Sequence, residues 1–148
     1  MITIEEANED HISLVAILFD LYRQFYDCEP NLKLATDYIK DRLVNKESTI
    51  FVAMDNSEAL GFVQLYPSFC SVEAIKIHIL YDLYVTATAR GSGIGERLMN
   101  RASEFAKASG SARIDLLTEN NNKIGQRLYE KMSYERTNQE FFAYSLYL

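Results

Sequence analysis

Between Lys76 and Val85 the chain reads KIHILYDLYV, Arg90 to Gly95 reads RGSGIG, and from Ile94 an amphipathic pattern runs through Leu98, Ala102 and Phe105. A run that is apolar at both parities needs cover on both faces, as a central strand has. The turn that follows takes three of the six glycines in the chain. A helix start leaves several backbone N–H groups without partners and carries partial positive charge. Glycines clear side chains from that backbone, so strand, glycine turn and helix together make a cradle for a phosphate. The same six residues also suit a bare connector, and only the rest of the chain decides between the two.

The pattern on either side is α/β. MITIEEA alternates and predicts a short edge strand. From Asn8 the spacing turns helical, with Leu14, Leu18, Leu21 and Phe25 on one face and Val15 and Tyr22 beside them. Pro30 ends that helix. A second helix carries Ala35, Tyr38, Ile39, Arg42 and Leu43 at helical spacing. STIFVAM and LGFVQLYPSF are strands joined by a turn at DNSEA. After the glycine turn and its helix, which Gly110 is placed to end, ARIDLLT predicts a strand, NNKIGQRLYEKM a helix and EFFAYSLYL a final strand. No linker or repeat interrupts the 148 residues, so the expectation is one domain, 1–148, holding a mixed sheet.

Composition narrows the partners. A net charge of −6 argues against nucleic acid, whose binding rests on neutralising phosphates with Lys and Arg. It is compatible with a cationic small molecule, although most acidic surfaces are simply solvated. Cys28 and Cys70 make no disulfide framework and have no metal-ligand spacing, so no metal is expected. No segment resembles a signal peptide or a membrane span, which makes the expected location cytoplasmic and the expected partners exclude membranes.

Three phosphate cradles compete for the turn. A P-loop needs Gly-Lys-Ser/Thr after its second glycine, where this chain has GERL. The dinucleotide fingerprint is G-x-G-x-x-G and opens the first βαβ unit, whereas G-x-G-x-G here lies two thirds of the way along. Arg90-x-x-Gly93-x-Gly95 instead resembles the R/Q-x-x-G-x-G/A signature of the GNAT acetyltransferases. About thirty residues on, NNKIGQRLYEKMSY is similar to that family's second motif, N-x-x-A-x-x-x-Y-x-x-x-G-F/Y, with Gly125 in place of alanine and Ser133 in place of glycine. Asn122, Gly125 and Tyr129 line up on one helical stripe, with a separate apolar stripe expected at Ile124, Leu128 and Met132. The closest likeness is to the subgroup that acetylates small amines, polyamines and amino acids among them.

The resemblance implies a GNAT fold: a mixed, mostly antiparallel sheet flanked by helices. It also implies acetyl-CoA as co-substrate, direct attack of a primary amine in a ternary complex, and pairing of copies into a homodimer through the apolar terminal strand. Arg90, Gly91, Ser92, Gly93, Ile94 and Gly95 would hold the pyrophosphate through their amides. A distortion in the strand before the turn would splay it from the next strand. Leu83, Tyr84 and Val85 would then pair with pantetheine like an added strand, and an N–H near Tyr84 or Val85 would meet the thioester oxygen. Asn122 would contact the pantetheine side of the cofactor. Tyr129 would protonate the leaving thiolate, a phenol ordinarily near 10 against a thiol near 8.5.

The base is less legible. An alkyl amine with a pKa of about 10.4 is roughly one part in a thousand neutral at pH 7, so a proton acceptor is useful. Asp82 suits three roles equally: base, anchor for a substrate ammonium, or structural acceptor. Strand alternation puts it on the face opposite Tyr81, with Tyr84 beside it and Leu83 and Val85 across. Tyr81, Gln64 and Tyr66 are candidates to line the acceptor site. His11 and His78 read as structural or solvated. Two rivals to a small-amine enzyme stay open: an acetyltransferase for protein lysines or N-termini, and a non-catalytic acyl-CoA-binding module on the same fold.

Overall fold

The computed structural model describes residues 1–148, in two compact units, Met1–Leu117 and Thr118–Leu148. The first unit contains strands β1 (Ile2–Glu6), β2 (Thr49–Asp55), β3 (Glu58–Cys70), β4 (Ile75–Val85) and β5 (Arg113–Asp115). Its helices are α1 (Ile12–Phe25), α2 (Leu32–Val44) and α3 (Ile94–Ala108). The strands form one sheet in the order β1-β2-β3-β4-β5, antiparallel throughout except for the parallel pair β4–β5. This is the mixed, mostly antiparallel sheet flanked by helices that the motifs imply, and β1 is the edge strand.

Strand parity assigns the two faces. Ile50, Val52, Met54 and Phe62 pack with Val15, Leu18 and Phe19 of α1 and Ala35 and Ile39 of α2. Phe51, one residue out of phase, meets Phe105 of α3 with ring centroids 5.6 Å apart. So α1 and α2 cover one face and α3 the other. Each of these large side chains contributes about 2 kcal/mol by leaving water. Two short links fix α1 and α2 before they pack. Asn8 and His11 form a capping box ahead of α1, the fitting place for a structural His11. The Asn31 side chain accepts the Leu34 N–H at the start of α2, and buried Asp20 accepts the Asn31 N–H at 2.9 Å.

The buried stripe of α1 is Val15, Ala16, Leu18 and Phe19, with Leu14 and Tyr22 partly buried against the core; of the expected face, Leu21 and Phe25 are exposed instead. ISLVAILF is apolar nearly all round, so periodicity alone admits either stripe, and packing on Phe62 decides.

The second unit holds α4 (Lys123–Lys131). Its half-buried stripe is Asn122, Gly125, Leu128, Tyr129 and Met132, whereas Ile124 is 81% exposed. The two stripes expected of this helix are therefore one. Ser133, where the motif has glycine, sits at φ 69° after the helix. That left-handed conformation is free for glycine and costs a serine about 1 kcal/mol. The strand expected from EFFAYSLYL does not form: residues 141–148 lie in no regular element, and Phe141, Phe142, Tyr144, Leu146 and Tyr147 are exposed. High β-propensity makes no strand without a ladder partner. No helix is long and apolar enough to cross a membrane.

Candidate functional site

β4 organises the first unit's candidate residues, and its regularity breaks where they lie. Gln64 pairs with Asp82 but Leu65 with Leu80, so Tyr81 is an extra residue, a β-bulge. The bulge overturns simple alternation. Before it, His78 faces α3, stacked edge-on against Phe105. After it, Asp82 faces the α1–α2 side, where it meets Gln64. The Tyr81 ring packs against Tyr66, two residues from Gln64 on the same face of β3, at 5.8 Å. Tyr81 and Asp82 therefore serve one side of the sheet rather than opposite sides. His78 is buried and bonded to the Ser111 hydroxyl at 2.5 Å, a structural role.

Asp82 is only 4% exposed. Gln64, fully buried, donates its Nε2–H to Asp82 Oδ2 at 2.5 Å and accepts the Ser48 hydroxyl at Oε1, 2.7 Å away. Burial holds the Asp82 carboxyl above the usual carboxylate range, against the opposite pull of Gln64 and the Tyr22 hydroxyl. Tyr22, from α1, also donates to the Tyr81 carbonyl at 3.2 Å, tying the helix to the bulge. Tyr66 shares a hydrogen bond with Tyr38 of α2 at 2.6 Å. Burial, Tyr38 and the Asp82 charge hold the Tyr66 phenol well above its ordinary range, so it stays neutral. Arg42 lies over the Tyr38 ring, 4.3 Å from its centroid. The result is a buried carboxylate beside tyrosines, suited to taking a proton or facing a cation.

At the far end of β4 the geometry is open. The ladder to β5 covers only Ile77–Ile79, so Leu80–Val85 continue past its end. Gly61 approaches this stretch so closely that a Cβ there would lie 2.7 Å from the Tyr84 carbonyl oxygen, which pins Tyr84 and Val85 to β3. Arg90 donates Nε–H to the Val85 carbonyl at 3.0 Å and lies over Tyr84, which holds the turn to the strand end. Gly91 and Gly93 adopt φ 81° and 83°, and a Cβ on either would meet nothing within 4 Å. Gly93 is the N-cap of α3 and offers no side-chain cap, so Ile94 and Gly95 begin the helix with backbone donors available. The Ser92 hydroxyl bonds back to the Ala89 carbonyl. This is open, donor-rich backbone at a helix start, which fits a phosphate group.

In the second unit, Asn122 caps α4: its Oδ1 accepts the Gly125 N–H at 3.1 Å and its Nδ2 donates to the Thr118 hydroxyl. A Cβ at Gly125 would lie 2.5 Å from Asn122 Nδ2, a physical reason for glycine where the motif has alanine. Tyr129 follows on the same stripe, its ring 6.2 Å from that of Tyr134.

Tyr22, Tyr38 and Ser48 were not singled out in the sequence. Tyr22 and Tyr38 sit at helical core spacing and Ser48 in a loop, so nothing marked them before β3 and β4 were in register.

Residues 15–134 match the model of the acetyltransferase (GNAT) family. An uncharacterized N-acetyltransferase, YhfO, of Bacillus subtilis is 41% identical over 132 residues, 89% of each chain. Among solved structures, a probable acetyltransferase superposes with TM-score 0.88 at 34% identity, covering 99% of this chain and 97% of that one. An aminoglycoside N-acetyltransferase, AAC(6')-Iy, solved in complex with CoA, has TM-score 0.84 at 17% identity over 98% of this chain and 95% of its own, a likeness of fold.

Proposed function

The chain belongs to the acetyltransferase (GNAT) family, and from that premise we propose that it transfers an acetyl group from acetyl-CoA to the primary amine of a small molecule, by direct attack in a ternary complex. The observation that carries this reading is the end of β4: its ladder to β5 stops at Ile79, and the strand then leads into an open turn at a helix start. When bound there, acetyl-CoA supplies the acetyl group as an activated thioester.

The chain's own residues do the rest. Amides from Arg90 to Gly95 bind pyrophosphate at the positive end of α3. The edge of Leu83–Val85 pairs with the amides of pantetheine, and an N–H at Tyr84 or Val85 binds the oxygen that gains charge. Asn122, which caps α4, contacts the pantetheine side of the cofactor. Tyr129 donates its hydroxyl proton to the departing sulfur. Asp82 accepts the proton of the acceptor ammonium, Tyr66 and Tyr81 line the acceptor's side, and Gln64, expected to line it too, is fully buried behind Asp82. A half-buried tyrosine face over one buried carboxylate supports a small cationic acceptor, as does the net charge of −6.

An acceptor panel with acetyl-CoA, read by free thiol release, tests the reading. Turnover of small amines is expected. Release with peptides alone would mean a protein acetyltransferase, and tight acetyl-CoA binding without release a non-catalytic module.

Gly93→Val tests the turn. It places a branched side chain where phosphate must approach and forces it into a left-handed conformation. Calorimetric titration should show acetyl-CoA affinity falling at least tenfold, about 1.4 kcal/mol. Full affinity in a variant with wild-type circular dichroism would remove the turn from the binding site. The exposed apolar residues of 141–148 support the homodimer reading, and a sedimentation mass of 17.0 kDa at micromolar concentration would rule it out.

A further inference from the structure

Gln64 is buried to 0% exposure on the central strand pair, with neither end of its amide facing water. Such a group costs about 1–3 kcal/mol when its hydrogen bonds are missing, and a leucine of similar size would fill the position without that demand. Both ends are matched: one to the Ser48 hydroxyl, the other to Asp82. With the Ser48 hydroxyl donating to its oxygen, the amide presents its N–H to Asp82.

We propose that Gln64 is the positioning residue for Asp82: its amide, held at its oxygen by the Ser48 hydroxyl, donates N–H to Oδ2 and keeps the carboxylate charged and aimed for the acceptor's proton. The inference rests on the reading of Asp82 as the proton acceptor. In the step it serves, an N–H bond of the acceptor ammonium breaks, the electron pair stays on nitrogen, and an O–H bond forms at Asp82 Oδ2. The proton returns to solvent after the product leaves.

The other titratable or charged groups on this side are Tyr22 of α1, Tyr66 of β3, and Tyr38 and Arg42 of α2. Tyr22 also donates to the Asp82 carboxylate, while the Tyr66 hydroxyl is bonded to that of Tyr38. Burial raises the proton affinity of Asp82 and the Gln64 N–H lowers it, so removing Gln64 has a defined sign.

The test is Gln64→Leu, read in two ways. The first follows Asp82 by carbon NMR of labelled aspartate carboxyls in the free protein, with no acceptor or acetyl-CoA present. The second is the pH profile of kcat/KM with acetyl-CoA and the panel amine turned over fastest. Asp82 should titrate about one pH unit or more higher, and the acidic limb of the profile should move with it, about tenfold in rate at a fixed pH on that limb. A merely structural glutamine would lower activity evenly or not at all and leave both curves in place, which overturns the proposal. A shifted titration with an unmoved limb overturns the role in proton transfer, and with it the reading of Asp82 as base, while leaving acetyl-CoA binding at the turn unaffected. Should Gln64→Leu fold poorly, Ser48→Ala reads the same chain from its far end. It should shift Asp82 in the same direction by less, and an unmoved titration there is equally adverse.

Discussion

Tyr129→Phe is expected to lower kcat by about a hundredfold or more, near 3 kcal/mol, while acetyl-CoA affinity changes far less. The ring survives the change, so its packing against Tyr134 survives too. The backbone is also indifferent, because the Tyr129 carbonyl still accepts the Tyr134 N–H at 2.9 Å and closes the end of α4. Only the hydroxyl is lost. If that hydroxyl protonates the departing sulfur, the loss should shrink with an acyl donor whose leaving thiol is more acidic. Turnover within about threefold of wild type would place the acid elsewhere. A large loss matched by an equal loss of acetyl-CoA binding would make Tyr129 a binding residue instead.

Asp82→Asn should reduce kcat/KM by about a hundredfold and abolish the acidic limb of its pH profile, and it should raise thermal stability at neutral pH. The two effects have one cause. Burial holds the folded carboxyl above its unfolded value near 3.9. The folded state therefore binds this proton more tightly than the unfolded one. The stability linked to it is present below the unfolded value and is lost as pH rises through the folded value. At pH 7 the ionised carboxylate is thus a net cost of folding, which an amide avoids. The limb lies above the ordinary carboxylate range for the same reason, with activity falling as pH drops through it. The three roles open for Asp82 separate here. A base loses kcat/KM and the limb. An ammonium anchor loses KM with kcat kept. A structural acceptor loses melting temperature rather than gaining it.

Much of this was legible before any coordinates, and the legible parts share a property: they are local. The glycine turn, the doubly apolar β4 and the amphipathic α3 are each set by neighbours within a few residues. Asn122 and Tyr129 share a stripe because helical spacing is local too. What escaped depends on partners distant along the chain. The Gln64–Asp82 bond needs the register of β3 on β4, and sequence alternation put Tyr81 and Asp82 on opposite faces because a bulge leaves no mark in composition. In α1, Leu21 and Phe25 share the helical spacing of Leu14 and Leu18 yet are exposed, because packing on Phe62 chooses among its apolar positions. Ile124 was assigned to a core that α4 does not turn it towards. The terminal EFFAYSLYL has the side chains of a strand, but a strand is a relation between two segments.

The extra residue at Tyr81 makes β4 a segment whose length matters more than its spelling. Tyr81 is 65% exposed, so many side chains can stand there at little cost. Deleting the position is another matter. With Tyr81 removed, Leu80 opposite Leu65 would lead straight to Asp82 opposite Gln64, a regular ladder that keeps Asp82 and the residues after it on their faces. What would go is the bend and extra twist that the bulge gives β4, so the glycine turn would leave the sheet from a re-aimed strand end. Among chains that keep this chemistry, position 81 should vary with the acceptor at little cost to folding, while the extra residue between Leu80 and Asp82 is kept.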